Sequence, residues 1–471
     1  MLLLSYHFPP GQAVGALRWQ KMARVAVERG WHIDVVTVDP SSLKSRDLVA
    51  LQDLPPGLRI YGATQPVLLR EQVEHAVWRI YARLRPRRKP TPAQPRVTAT
   101  AHAPDTAKPD DAELRWRLSS VRDWKRAYYA SLDNARDRRW ASEAARVARQ
   151  LTGQNQYALL ATCGPPHMVH WAGRGVAAEA GIPFVMDLRD PWSQVERLAD
   201  DIASPVWYRL ARRFEQEAVA GAGLVVMNSE PAREAMCQAY PEFAGRIMTV
   251  MNGYDESGTA PATGKSRQFM VVFAGSISLD RNPGMLLSAA ARTVRELGLA
   301  PADFRIEFVG NVGSLDPDDP SSVGALARAE GIEGYVGVSG FRPRGELASL
   351  LGRATALVSL YQDSRTAIPS KIFEYMQYDA WILTFAEPGS ATELLLRGSD
   401  ADVVAPTDVE GLVRTLTHRY RQFSAGERPH RLARDPAFSR RTQANLLFDR
   451  LEALAPVRGG TGQAAQGVLA G

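Results

Sequence analysis

A chain of 471 residues with 45% apolar and 23% charged residues is ordinary globular material, long enough for two α/β domains and too apolar for a disordered protein. No run reaches the ~18 apolar residues of a membrane-spanning helix, and MLLLSYHFPPG lacks the basic flank and cleavage site of a secretory leader. The two cysteines, Cys163 and Cys237, supply neither a disulfide framework nor a paired-cysteine metal site, so the expected location is the cytoplasm.

MLLLSYHF reads as a buried strand, PPGQAVG as a loop, and the stretch from Ala16 as a helix with Trp19, Met22, Ala23, Ala26 and Val27 on one face, ended by Gly30 as a left-handed cap. HIDVVTVD is the next strand, which makes a βαβ unit and a parallel sheet. Residues 70–150 form an expected basic helical insertion with 19 Lys/Arg against 10 Asp/Glu, a local +9 in a chain of net +6. Within it, residues 85–111 are rich in Pro, Ala and Thr without an apolar period and are expected to be a mobile loop. Alternation resumes from YALLATCG to RIMTVMNG, completing an N-terminal Rossmann-like domain over 1–253, and the small polar residues 254–268 suit a linker. A second alternation runs from FMVVFAGS through NPGMLLSAAARTVREL, with Asn282 as its N-cap, to WILTFA. DVEGLVRTLTHRYRQF and RTQANLLFDRLEAL close a second Rossmann-like domain over 269–455, before an expected disordered tail at 456–471. The predicted fold is α/β, two doubly wound domains facing a cleft, with ligands bound beyond the carboxyl ends of the strands.

IPSKIFEYM carries the most chemistry. Ser370 opens a helix, and Lys371 and Glu374 lie three apart on one face. Free N–H groups and an ammonium suit a diphosphate, while Glu374 suits sugar or ribose hydroxyls; a capped surface helix with a Lys/Glu pair is the alternative. FAGSISLDRNPG repeats the theme, since Gly275 and Ser276 leave room for a phosphate and Arg281 adds a cation. In FPPGQAVGALR the spacing of Gly11 and Gly15 is GxxxG, which does not fit the dinucleotide fingerprint even with Asp39 after the second strand. TCGPPH and MDLRDPW place His167, Asp187, Arg189 and Asp190 at strand ends as candidates to line the same cleft, with a buried Asp187–Arg189 ion pair and a capping His167 as the alternatives. The Asp316-x-Asp318 pair sits in a proline-rich loop, His and Cys show no ligand spacing, and GxSxG is missing, so neither a metal site nor a serine nucleophile is expected.

In this order, SYHFPPGQAVGALR, GPPH, MDLRDPW, FAGSIS and IPSKIFEYM resemble the retaining glycosyltransferases of family 4, closest to the bacterial surface-polysaccharide branch that carries PSK-x-x-E-Y. The likeness covers nearly the whole chain apart from 70–150. It implies the GT-B fold, a UDP- or GDP-sugar held mainly by the second domain, a glycan or lipid-linked acceptor on the first, and transfer with retention without a metal or other cofactor. By the same likeness Arg281 and Lys371 neutralise the leaving diphosphate, Glu374 holds the ribose, Gly11 and Gly15 approach the phosphate from the opposite wall, and His167 is a catalytic candidate. Thr366 stands where many relatives have the first Glu of a Glu-x7-Glu pair. The other readings are a catalytically silent nucleotide-sugar-binding protein, an epimerase on the same fold, and a natural-product transferase with a soluble acceptor. In the basic stretch, Trp78, Tyr81, Trp116, Trp124, Tyr128 and Tyr129 are interleaved with cations. That pattern points to peripheral contact with an anionic membrane at the inner face rather than to nucleic acid, a solvated helix pair being the alternative.

Overall fold

A computed structural model describes residues 1–13, 15–43, 46–65, 120–196, 198–256, 264, 266–277, 282–316, 318–360, 364–432 and 435–455. The loop expected at 85–111, the tail at 456–471, most of the linker and Arg281 lie outside the described residues.

The first sheet contains β1 (Leu2–Ser5), β2 (Asp34–Val38), β3 (Arg59–Ala63), β4 (Leu160–Gly164), β5 (Phe184–Leu188), β6 (Leu224–Met227) and β7 (Ile247–Thr249). Their order is β3-β2-β1-β4-β5-β6-β7, with parallel pairing throughout. Helices α1 (Ala16–Glu28), α2 (Leu48–Gln52), α3 (Val121–Gln154), α4 (Met168–Ala180), α5 (Pro205–Gly221) and α6 (Glu230–Ala239) accompany it. The strands β1, β2, β4, β5 and β6 are buried at every position, as sheets covered on both faces require. The sequence pattern has no signal for β3, an edge strand whose residues are exposed or half-buried apart from Ala63. The helical part of the expected insertion proves integral to the domain. The face of α3 formed by Trp140, Ala141, Ala144, Ala145, Ala148 and Leu151 joins the core that contains Leu2, Leu4 and Leu160. Small alanines let this long helix lie close to the sheet as the crossover from β3 to β4.

The second sheet contains β8 (Phe269–Ala274), β9 (Phe304–Val309), β10 (Val336–Ser339), β11 (Ala356–Ser359), β12 (Trp381–Phe385) and β13 (Asp402–Val404), in the parallel order β10-β9-β8-β11-β12-β13. Its helices are α7 (Gly284–Leu297), α8 (Val323–Ala329), α9 (Arg344–Arg353), α10 (Ser370–Tyr375), α11 (Ala391–Leu396) and α12 (Val409–Ser424). Asn282 Oδ1 accepts from the Gly284 N–H at 2.7 Å, capping α7 from two residues before its start.

One expectation is corrected. The last helix, α13 (Arg440–Leu454), belongs with the first domain and not the second. Its Ala444, Leu447, Phe448 and Leu451 are buried with Leu3, Trp19 and Val35. Arg29 of α1 bridges Asp449 and Glu452, and Arg441 bridges Glu28. The apolar face was legible in the sequence, but nothing local says which sheet will cover it. The chain thus crosses between the domains twice, and the strand order reverses at β1/β4 in one sheet and at β8/β11 in the other, the points where such sheets open a crevice.

Candidate active site

The first-domain wall is assembled at the β1/β4 crevice. The loop after β1 carries His7 and a turn in which the Gly11 N–H donates to the Phe8 carbonyl at 2.9 Å. A Cβ on Gly11 would lie 3.0 Å from that oxygen, so the glycine serves a tight turn. At Gly15, which caps α1, a Cβ would fall 1.6 Å from Arg189 Nη1. The guanidinium of Arg189 therefore lies against the start of α1. It is held there from below, Nε donating to the Gly164 carbonyl at 3.1 Å and Nη2 to the Pro165 carbonyl at 2.7 Å. His167 stands just before α4 without a side-chain capping bond and stacks on Trp192, the ring centroids being 5.4 Å apart. Glu215, fully buried on α5, accepts from the backbone N–H and hydroxyl of Ser193 and from the Tyr240 hydroxyl, which fixes the residue next to Trp192.

Burial and the nearby Arg189 cation push the His167 imidazole down to about 3, against a weaker pull from the Pro191 backbone, and His7 down to about 4 for the same two main reasons. Both rings are neutral at physiological pH. A neutral imidazole can donate or accept a hydrogen bond but carries no standing charge.

Two acceptor-side expectations change. Asp187 is fully buried, and its carboxylate is consumed by Arg18, which donates from Nε at 2.9 Å and Nη2 at 2.9 Å, and by Trp19 Nε1 at 2.7 Å. It does not face the cleft, and its partner is Arg18 instead of Arg189. Arg18 also donates to the Val250 carbonyl and to Asn252, tying the sheet to the start of the linker. Asp190 is exposed at the rim.

The second wall lies beyond β8. Gly275 has φ of 146°, and a Cβ there would sit 2.7 Å from Lys371 Nζ, so the ammonium is seated against this loop's backbone. It also lies 4.2 Å over the Phe273 ring. The buried Tyr375 aligns helix and loop: its hydroxyl accepts from the Ala274 N–H at 3.1 Å and faces the Ala274 carbonyl at 3.3 Å. Gly310 approaches so closely that a Cβ would meet the Gly275 carbonyl at 2.4 Å. Ser276 continues the loop and Ser370 is exposed at the start of α10. Glu374 is open to solvent yet crowded on most sides, as in a cleft. That crowding raises its carboxyl above the usual range against the pull of Arg344 and Lys371, with Asp255 adding to the rise. Asp255 in turn pairs with Lys21 at 3.2 Å and Arg440 at 2.8 Å, which places Glu374 beside the interdomain crossing.

A seam joins the walls. The Ser229 hydroxyl donates to the Thr366 carbonyl, and Glu196 Oε2 accepts from the Arg365 N–H at 2.5 Å. Asn228, adjacent to Ser229, donates to the Arg189 carbonyl at 3.1 Å. The structure thus brings Gly15, His167 and Arg189 together on one wall and Gly275, Lys371 and Glu374 on the other. Sequence reasoning missed His7, Asn228 and Tyr375. Of these, His7 and Tyr375 lie inside motifs already singled out, while Asn228 carries no local signal.

Two parallel-sheet Rossmann-like domains facing a crevice make up the GT-B fold. Anabaena Alr3699/HepE, in complex with UDP-glucose, superposes with a TM-score of 0.58 at 15% identity over 96% of this chain and 100% of that one. WaaG, a glycosyltransferase involved in lipopolysaccharide biosynthesis, does so with a TM-score of 0.50 at 14% identity over 98% and 100%. Residues 260–431, the second domain's loop and helix included, match the family of glycosyl transferases, group 1. A D-inositol 3-phosphate glycosyltransferase of Kineococcus radiotolerans is 25% identical over 144 residues, which is 28% of this chain and spans only a third (33%) of that relative.

Proposed function

We propose that this protein is a retaining glycosyltransferase of family 4 that moves a sugar from a UDP- or GDP-sugar to a glycan or lipid-linked acceptor in surface-polysaccharide biosynthesis. The observation that carries the reading is Lys371 Nζ seated against the Gly275 loop, a fixed cation at the crevice of the domain that matches the group 1 transferases. The UDP and UDP-glucose complexes of HepE support the donor class.

In this reading the second domain binds the nucleotide sugar. Lys371, with Arg281 from the sequence motif, neutralises the diphosphate as the anomeric carbon–oxygen bond breaks, and Glu374 takes ribose hydroxyls. Fixed cations that meet developing charge are electrostatic catalysis, and they make a metal or other cofactor unnecessary. The acceptor oxygen attacks on the face the diphosphate leaves, and its proton passes to the departing phosphate oxygen. On the first wall, Arg189 and the neutral His167 orient donor and acceptor, with Asp190 at the rim. Peripheral attachment to an anionic membrane would bring a lipid-linked acceptor to this wall.

The test is incubation of purified protein with UDP-glucose, UDP-galactose or GDP-mannose and a lipid-linked or oligosaccharide acceptor, following nucleotide release and glycosylated product. Product formation that survives excess EDTA and is lost in Lys371→Ala is expected. Donor binding without release under every acceptor would favour the silent binding protein, and a new sugar isomer from donor alone would favour the epimerase.

A further inference from the structure

The first-domain wall beyond β1 holds two polar groups that the fold does not use. His7 is half-buried, and among the described residues its imidazole makes no hydrogen bond; its ring packs edge-on against Tyr6 at 4.9 Å. The other two histidines of this wall are engaged, His167 with the Pro191 main chain and His170 with the Thr162 hydroxyl at 2.8 Å. Asp137, half-buried on α3, likewise accepts no hydrogen bond among the described residues. Its charge reaches the Tyr6 hydroxyl, which is itself tied to Gln65 Oε1 at 2.6 Å. Tyr6 therefore borders both unmet groups. A third lies behind it. Trp140 meets Tyr6 edge-on at 4.8 Å and is buried with its Nε1–H unmet, and a helical side chain leans toward the helix N-terminus, here over the turn that carries Asp137.

The place and the chemistry agree. Tyr6 and His7 directly follow β1, and the Asn134 amide meets the Met168 sulfur at 3.6 Å, so this part of α3 stands beside the start of α4 at the crevice edge of the first sheet. A half-buried carboxyl without a partner costs stability, and such a cost is retained where function needs the group. An imidazole with one donor and one acceptor, a carboxyl and an indole N–H together match hydroxyl groups, each of which donates one hydrogen bond and accepts others. A phosphate or carboxylate would instead bring further negative charge beside Asp137 and its neighbour Asp133. We propose that His7 and Asp137 bind an uncharged sugar ring of the acceptor at the mouth of β1, with Tyr6 beside both, making them specificity-determining residues for the acceptor. This rests on the reading of the protein as a glycosyltransferase.

The experiment compares wild type, His7→Phe, His7→Gln and Asp137→Asn. Calorimetry gives the affinity for UDP and GDP, and product formation from UDP-glucose, UDP-galactose or GDP-mannose gives the KM for octyl glucoside, octyl galactoside and octyl glucuronide. His7→Phe keeps an aromatic ring against Tyr6 and removes the nitrogens, and Asp137→Asn keeps the shape of the carboxyl. Expected are an unchanged nucleotide affinity, a KM for the preferred octyl glycoside raised about tenfold in His7→Phe and in Asp137→Asn, recovery of most of that loss in His7→Gln, and the charged glucuronide as the poorest acceptor. An unchanged acceptor KM in either variant, a nucleotide affinity that falls in step with it, the glucuronide as the best acceptor, or a wild type that binds nucleotide and glycosylates none of the three would overturn the acceptor subsite while leaving the donor class intact. A wild type that binds neither UDP nor GDP would overturn the donor class itself, and the subsite with it.

Discussion

Lys371 occupies the space that a side chain on Gly275 would need: its ammonium lies 2.7 Å from the point where that Cβ would stand. Gly275 lies in the loop after β8 and Lys371 in the first turn of α10, and the two meet because Tyr375 bonds Ala274. The glycine at positive φ therefore does two jobs, bending the loop and seating the cation.

Lys371→Ala is expected to lower transfer by about 100- to 1000-fold, ~2.7–4 kcal/mol, the scale of a lost electrostatic stabiliser. Gly275→Ala should reproduce much of that loss and also destabilise the domain by ~1 kcal/mol through backbone strain. Initial rates with a verified donor, beside urea unfolding curves, check both; wild-type rates in Lys371→Ala would displace the diphosphate from this loop.

Gly15→Ala drives a methyl group into Arg189 Nη1. The guanidinium must leave its seat on the Gly164 and Pro165 carbonyls, so activity should fall more than tenfold while circular dichroism stays native, because the displaced group borders the cleft. A fully active Gly15→Ala enzyme would remove Arg189's placement from the mechanism.

His7 and His167 titrate at about 4 and about 3 in the folded protein, below the ordinary histidine value of ~6.5. The unfolded chain then binds more protons than the native one below pH ~6.5. Stability is complete above that pH and declines as the pH falls toward 4 and 3. Replacing His167 by Gln should flatten the decline between pH 6.5 and 4, read as urea midpoints; an unchanged slope would show that the ring is not buried in the neutral form.

Asp137 on α3 behaves oppositely. Burial, with Asp133 adding to it, lifts its carboxyl to about 7 despite Arg136. Its folded form holds a proton that the unfolded chain releases near pH 4, so this side chain costs stability as the pH rises toward and past 7. Asp137→Asn should raise the melting temperature at pH 8 and leave it nearly unchanged at pH 4. A variant less stable at pH 8 would mean that the carboxylate has a favourable role there.

Along the first turns of α3, Val121, Trp124 and Tyr128 are 86%, 59% and 40% exposed, with Arg122 and Lys125 exposed between them. An aromatic and basic stripe of this kind suits the headgroup region of an anionic bilayer. The protein should sediment with phosphatidylglycerol vesicles, leave them in high salt, and bind less when Trp124, Arg122 and Lys125 are replaced together by Ser, Gln and Gln. Equal partitioning onto neutral vesicles, or none onto either kind, would favour a soluble acceptor. No helix among the described residues is long and apolar enough to cross the membrane.

Much of this architecture was legible locally. Buried apolar runs separated by helical periods specify parallel strands and crossovers, and the spacing of Lys371 and Glu374, or the small residues at Gly275 and Ser276, follows from neighbours a few positions away. What only the tertiary structure decided is partner choice over long separations. Asp187 takes Arg18, 169 residues away, over Arg189 two positions on, because the start of α1 brings Arg18 and Trp19 onto the buried carboxylate. Arg189 is thereby left to the Gly15 wall. In the same way α13 covers the first sheet though it follows the second, Ser229 meets Thr366 across 137 residues, and α3 serves as the crossover under the sheet. Periodicity says that a face or a charge must be buried; three-dimensional packing chooses what buries it.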